Sequence, residues 1–530
     1  MLDKTVAIKE GRTSLGIEFG STRVKAVLIG EDYSALAEGM YGWENSFIDG
    51  YWTYGKDEII TALQSCFASL KDDVKNRYGV TLSTIGSIGI SAMMHGYLAL
   101  GSDGDFLAPF RTWRNTTTGE SAKALTELFS FNIPERWSIA HLYQAILNNE
   151  EHVRDIAYLT TLAGYIHYRL TGVKAVGIGE AAGMFPIDSE KLCYNKDMLD
   201  KFSELISGKN YPWCIEDILP SVLVAGDNAG YLTKDGALLL DPSGELQSGI
   251  PFCPAEGDAG TGMVATNSVR EKSGNVSAGT SVFAMVVLEK PLSEVHPEID
   301  LVTTPSGEAV AMVHCNNCTA DIDSWARIFF DFAANYGIEA DMGKVFELIY
   351  KTALEGENDC GGLLSFNYLS GESITHIKNG VPLFIRSKNS SLTFSNFARN
   401  LLYSSVCTLR IGMDILKNEG VKIDELYGHG GFFKTPVAGQ SIMADALDVP
   451  VTVMETANVG GPWGMALLAS YMINGKKEMS LADFLSGRVF LNSKKTPLAP
   501  EKQAADGFNR YLNEYKKALA VEAKADEILY

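Results

Sequence analysis

The run Glu256-Gly257-Asp258-Ala259-Gly260-Thr261-Gly262 sets one carboxylate, Asp258, among glycines that give it no side-chain cover. A carboxylate left bare in this way can take the proton of an alcohol as that alcohol attacks an electrophile. The same Gly-Asp pair also serves turns and helix caps, so the run alone leaves both readings open. A second candidate is Glu18-Phe19-Gly20-Ser21-Thr22. A tight turn of this composition can aim amides and hydroxyls at phosphate oxygens. The carboxylate one step earlier can hold Mg²⁺ through water. Ser277-Ala278-Gly279-Thr280-Ser281 forms a related turn, and Gly428-His429-Gly430-Gly431 offers bare backbone on which a flat heterocycle can lie. In Met94-His95-Gly96 the imidazole of His95 can hydrogen-bond a polyol or serve as an ordinary buried group. The runs GxxxxGK[ST], GxSxG and HExxH are all absent, which argues against a P-loop NTPase, a nucleophile-elbow hydrolase and a zinc peptidase.

These residues need elements to hold them. Leu15 to Ile29 reads as a β-hairpin, apolar on both sides of a Gly-Ser-Thr turn. Gly274 to Leu288 repeats the pattern, with Gly279-Thr280-Ser281 in the place of Gly20-Ser21-Thr22. Two such hairpins far apart predict two domains of like architecture; Gly-Ser-Thr turns are also common by chance. Between and after them run α/β signals. Helical spacing spans Asp57–Tyr78 and Ala398–Leu416, with a short strand at Ile85–Ser91. Leu142–Leu170 reads as helices broken near Asp155, and Lys174–Met184, rich in glycine and alanine, as a close-packed loop. Leu426–Gly431 and Pro450–Met454 read as strands, with helices at Gly439–Leu447, Gly461–Met472 and in the amphipathic tail after Glu501. The natural domain cut falls near 265–272, just before the second hairpin.

The 530 residues hold 46% hydrophobic and 21% charged side chains, a composition that excludes a mainly disordered chain. The net charge of −20 argues against nucleic acid and anionic membranes as partners. No apolar run reaches membrane-spanning length, and the N-terminal stretch lacks the apolar core of a secretory signal. Eight scattered cysteines do not make a disulfide scaffold. The CxxC pair Cys315 and Cys318, beside His314, lacks the second pair a zinc site would want and reads as buried thiols. These features together predict a cytoplasmic protein.

In chain order these runs resemble the FGGY carbohydrate kinases, of the actin/Hsp70/sugar-kinase superfamily. Glu18–Lys25 resembles the first phosphate motif, Met94-His95-Gly96 the sugar-contact MHG motif, and Trp113-Arg114-Asn115 the W-[NQ]-D motif. The segment Leu159–Asp188 resembles the stretch leading to the sugar pocket. Gly257-Asp258-Ala259-Gly260 resembles the motif whose Asp is the catalytic base, and Ser277–Ser281 the second phosphate motif. Phe366–Glu372 resembles PYLxGER; Gly428–Asp445 and Gly460–Ala466 resemble the adenosine motif and its closing helix. The sequence departs from the family at four places. Glu18 replaces Asp, Asn115 replaces Asp, Thr117 replaces a frequent Arg, and Phe432-Phe433 is inserted in the adenosine motif.

The resemblance implies an α/β fold of two RNase-H-like (actin-like ATPase) domains with a cleft between them, over 1–268 and 269–530. It implies ATP-dependent phosphorylation of a sugar hydroxyl, with Asp258 as base and the lobes closing to exclude water. ATP and its phosphates would be held by Gly20, Ser21, Thr22, Lys25, Gly279, Thr280, Ser281, Gly430 and Gly431. The sugar would meet Met94, His95, Gly96, Trp113, Asn115 and Asp258, and Mg²⁺ would sit near Glu18 and Asp258. Among sugars the motifs look most like those of ketopentose kinases, for L-ribulose or D-xylulose at C5. Neutral Asn115 and Thr117 weigh against gluconate. The other two readings are a sugar- or nucleotide-binding regulator on a worn kinase scaffold and an actin- or Hsp70-like ATPase. The partners implied are a small sugar and ATP; a homodimer is an analogy with relatives only.

Overall fold

The computed structural model describes residues 4–339, 341–454, 460–476 and 478–530. The chain folds as mixed α/β and divides into two compact units. The first is Met1–Val269 with Asp300–Val310 and Val459–Asn492; the second is Arg270–Ile299, Ala311–Asn458 and Ser493–Tyr530. The main division falls at Val269/Arg270, and the stretches 300–310 and 459–492 are grouped with the first unit by their contacts. The physical reason is visible in helix Gly460–Asn474, whose small residues pack against the first unit's sheet. A composition scan along the chain carries no signal for such a return.

In the first unit the sheet order is Glu256–Gly257, Ser87–Ala92, Ser14–Phe19, Arg23–Ile29, Ala35–Gly42. Ser14–Phe19 runs antiparallel to Arg23–Ile29 and parallel to Ser87–Ala92, and Glu256–Gly257 joins the far side of Ser87–Ala92 in parallel. Strand alternation then sorts the side chains. Leu15, Ile17 and Phe19 face one way, fully buried in the core with Ile59, Leu63, Phe67 and Leu70 of helix Lys56–Tyr78. Gly16 and Glu18 face the other way, where helices Asp258–Ala265 and Gly460–Asn474 lie. Full burial of each such apolar side chain contributes about 1.5–3 kcal/mol, so the first face anchors the unit and the second is free to carry polar groups.

The second unit repeats the plan. Ser273–Ala278 and Val282–Val287 form the expected hairpin, and Ser273–Ala278 pairs in parallel with Glu425–His429. Val451–Met454 follows in parallel and Lys495–Leu498 antiparallel. Helix Phe394–Asn418 buries Leu402, Val406, Leu409 and Met413, as its spacing predicts. The tail helix Lys502–Leu529 sets Phe508 against Tyr403 and Tyr515 against Phe366, with ring centroids 4.9 and 4.5 Å apart. Lys174–Met184 differs from the expected loop. It forms a short strand, Ala175–Gly177, and a helical turn, Ile178–Ala181, because Ala175–Gly177 finds a partner in distant Ser221–Leu223. No helix among the described residues is long and apolar enough to cross a membrane.

Candidate active site

Strand register collects the first group of polar residues. Glu18 pairs with Ser91, and Ser91 pairs with Glu256, so the three stand in one row across adjacent strands. Lys25 lies opposite Glu18 on the other side. Directly after Glu256–Gly257 the chain turns into helix Asp258–Ala265, which places Asp258 at the helix start. Its carboxylate is reachable from solvent and accepts the backbone N–H of Met94 at 3.2 Å. Thr261, one turn along, donates to the Glu18 carboxylate at 3.4 Å. Helix Gly460–Asn474 closes on the same side. A Cβ on Gly461 would fall 1.6 Å from Glu18 Oε2, so a side chain there would have to push the Glu18 carboxylate aside.

Electrostatics mark this as an uncomfortable place for bare charge. Burial pushes Glu18 up to about 8, Asp258 adds repulsion, and Lys25 and Thr261 pull the other way. The protein packed around Asp258 likewise raises it although the residue keeps solvent access, against the amide of Met94. Glu256 is lifted to about 8 by burial, opposed by the amides of Gly179, Glu180 and Gly257. Glu180 is raised well above the carboxylate range by burial and by the charges of Glu256 and Asp258. Four acids that all hold protons more tightly than in water form a site prepared for positive charge or for proton transfer. The sequence pointed to Glu18 and Asp258. Glu180 and Glu256 were missed, although Glu256 lies in the same quoted run, because nothing local distinguishes it from a flanking residue.

The remaining residues of the first unit gather near by. Met94-His95-Gly96 follows strand Ser87–Ala92, with His95 and Gly96 both at positive φ, 72° and 102°. His95 Nδ1 lies 3.3 Å from the carbonyl oxygen of Gly183, and its ring lies nearly parallel to Trp137. Gly96 is held by Arg136 O and by the Ser138 hydroxyl. A left-handed histidine costs on the order of 1–3 kcal/mol, and these contacts hold it in place.

The first hairpin turn is clamped from behind. Trp43 Nε1 donates to Gly20 O at 2.7 Å and the Tyr54 hydroxyl to Ser21 O at 2.6 Å, the two rings stacked 4.1 Å apart. Trp113 Nε1 reaches the Ser21 hydroxyl at 3.3 Å. No sequence signal singled out Trp43 or Tyr54.

Asn115, which the resemblance places at the sugar, is engaged by the backbone in this structure. Its Oδ1 accepts Trp52 N at 2.8 Å, and its Nδ2 donates to Trp52 O at 2.9 Å and Thr112 O at 3.0 Å. The buried amide thus pins the hairpin Ser46–Thr53. An aspartate would turn a second acceptor toward two carbonyl oxygens. We expect Asn115→Asp to lose about 1–3 kcal/mol of stability, read as a lower melting temperature, whereas an unchanged melt would show that the amide bonds are dispensable.

In the second unit Gly279-Thr280-Ser281 forms a three-residue turn between the paired Ala278 and Val282, one residue tighter than the first turn, where Gly20 to Arg23 separate Phe19 from Val24. Gly430, at φ 99°, packs on the backbone of Ala278, so the adenosine-like run abuts the turn. The inserted Phe432 and Phe433 are buried. Phe432 packs edge-on to Tyr350, and Phe433 lies over Gly428. Their rings fill the core beneath the loop. Cys315 and Cys318 are buried thiols, raised by that burial.

Comparison with known proteins places these observations. Residues 13–265 match the N-terminal domain and residues 274–473 the C-terminal domain of the FGGY family of carbohydrate kinases. The chain belongs to that family and is a sugar kinase that uses ATP as co-substrate. It is 22% identical over 467 residues to a xylulose kinase of Haemophilus influenzae, covering 86% of this chain and 89% of that one. It is 21% identical to a xylulose kinase of Staphylococcus xylosus over 475 residues, 86% and 90% of the two chains. Among solved structures, a ligand-bound xylulose kinase from Lactobacillus acidophilus superposes with a TM-score of 0.79 at 17% identity, over 97% of this chain and 99% of that one. A gluconate kinase from the same organism gives 0.78 at 17% identity over the same shares. At these identities the structural likeness shows the fold alone, a two-domain α/β architecture shared with those sugar kinases.

Proposed function

We propose that the chain phosphorylates a ketopentose, D-xylulose or L-ribulose, at its C5 hydroxyl, with Asp258 as general base. The observation that carries this reading is the placement of Asp258. Its carboxylate is open to solvent at a helix start, fixed by the amide of Met94, and has the MHG turn as its neighbour. A sugar hydroxyl set there by His95 and Gly96 could pass its proton to Asp258 as it attacks. The two relatives named above as xylulose kinases support a pentose.

Phosphates of ATP would be taken by Gly20, Ser21, Thr22 and Lys25 in the first unit and by Gly279, Thr280 and Ser281 in the second. Adenine would lie by Gly430 and Gly431. Mg²⁺ fits the oxygen donors at hand, since Glu18 and Asp258 repel one another across a buried setting that a hard cation would relieve. Bound there it would offset charge on the phosphates. The longer arm of Glu18, relative to the family's Asp, is steadied by Thr261 and by the helix end at Gly461.

The test is ADP release measured with ketoses, aldoses, polyols and gluconate in turn. Strong stimulation by D-xylulose or L-ribulose is the expected result. Preference for gluconate overturns the substrate assignment. ADP release independent of sugar, or binding without turnover, overturns the kinase mechanism itself.

A further inference from the structure

The two hairpin turns share a feature that neither sequence displays. In the first, the carbonyl oxygens of the first and second turn residues, Gly20 and Ser21, are held by Trp43 and Tyr54. In the second, the carbonyls at the same two positions, Gly279 and Thr280, are also held, here by backbone amides. Thr319 N donates to Gly279 O at 2.9 Å, joined by the Thr319 hydroxyl at 2.8 Å, and Cys318 N donates to Thr280 O at 2.9 Å. A planar trans peptide points its N–H opposite to its C=O. Holding those carbonyls from behind therefore turns the N–H groups of the second and third turn residues outward, the direction from which an anion would approach.

What holds the second clamp is Glu372. It is buried, and its Oε2 accepts Asn316 N at 2.9 Å and both Asn317 N and Asn317 Nδ2 at 3.3 Å. Asn317 in turn accepts Leu369 N at 3.0 Å and Ser370 N at 3.1 Å, and donates to Ser370 O at 3.0 Å. Asn367 fixes Cys318 O at 3.0 Å. The turn 316–319 is thus tied on one side to Glu372 and on the other to the carbonyls of Gly279 and Thr280. Burying a carboxyl group is costly without such donors, and one carboxyl oxygen that gathers three of them gives the turn a rigid base.

We propose that Glu372 is a positioning residue for nucleotide phosphate: through the turn 316–319 it fixes the outward amides of Thr280 and Ser281, as Trp43 and Tyr54 do for those of Ser21 and Thr22. The proposal rests on the reading of Gly279–Ser281 as a phosphate turn, and the experiment separates the two. ADP and AMP affinities are measured by calorimetry on the full chain and on its Glu372→Ala, Glu372→Gln and Ser281→Ala variants, with a melting curve for each.

The expected result is ADP affinity weakened about tenfold in Glu372→Ala, with AMP affinity within twofold, because AMP lacks the outer phosphates. Glu372→Gln keeps an acceptor oxygen and should recover most of the loss. If Ser281→Ala weakens ADP binding while Glu372→Ala does not, the turn binds phosphate and the positioning role is refuted. If ADP and AMP weaken alike in both Glu372 variants, or only the melting temperature falls, Glu372 is structural and the proposal is refuted. If neither Ser281→Ala nor Glu372→Ala changes ADP affinity, the phosphate reading itself falls, and this proposal with it.

Discussion

Asp258→Asn is expected to lower kcat by about 10²–10⁴-fold while the protein folds and binds ADP as before, because a general base contributes on that scale. Asparagine is nearly the same shape, and its Oδ1 can still accept the Met94 amide that holds Asp258 now. What it cannot do is take a proton. The change therefore isolates one function. The wild-type pH profile carries a second signature. Asp258 must be ionised to act, and its surroundings raise its carboxyl above the ordinary range. The rate should thus fall on the acid side through a limb displaced upward from that of a free aspartate, and Asp258→Asn should abolish that limb. Initial rates across pH, with ADP affinity as control, give the answer. Near-wild-type turnover in the variant would remove Asp258 from the chemistry.

Much of this site could be read from the chain, and what could not has a common cause. The two hairpins were legible because strand alternation and a Gly-hydroxyl turn are local patterns, and Asp258 was legible because glycines on both sides leave it bare. Helices at 57–78 and 398–416 announced themselves by spacing. The missed residues act over distance. Trp43 and Tyr54 matter only because the fold swings their polar ends onto Gly20 and Ser21. Glu256 acquires its character from the strand register that sets it beside Ser91 and from the burial that follows. Asn115 reads as a sugar contact by its place in a motif, yet its amide is spent on the backbone of Trp52. Motif position points to a sugar contact, while the backbone hydrogen bonds that hold the side chain come from residues the motif does not include.

The largest stability effect is expected at a glycine with no chemical role. Gly16 lies two residues before Glu18 on the same face of its strand, and a Cβ there would meet Pro462 O at 2.0 Å and Ala466 N at 2.5 Å. Both are backbone atoms of helix Gly460–Asn474, so no side-chain rotation can make room. By intrinsic strand preference alone, alanine should stabilise by about 0.5–1 kcal/mol relative to glycine. Here the clash decides the sign. Overpacking a tight interface costs about 1–3 kcal/mol even when side chains can adjust, and Gly16→Ala must displace a helix, so a loss of about 3 kcal/mol or more is expected.

In a unit of this size that corresponds to a fall in melting temperature of roughly 6–12 °C, measurable by calorimetry. Gly42→Ala is the matched control, also in a strand but with nothing within 4 Å of its would-be Cβ, and it should be neutral or mildly stabilising. Equal melting temperatures for the two variants would mean that the helix is not seated on the strand. The same displacement should also weaken catalysis in whatever protein stays folded. Helix Gly460–Asn474 carries Gly461 against the carboxylate of Glu18, so backing the helix off the strand loosens one of the two acids through which the site would hold its cation.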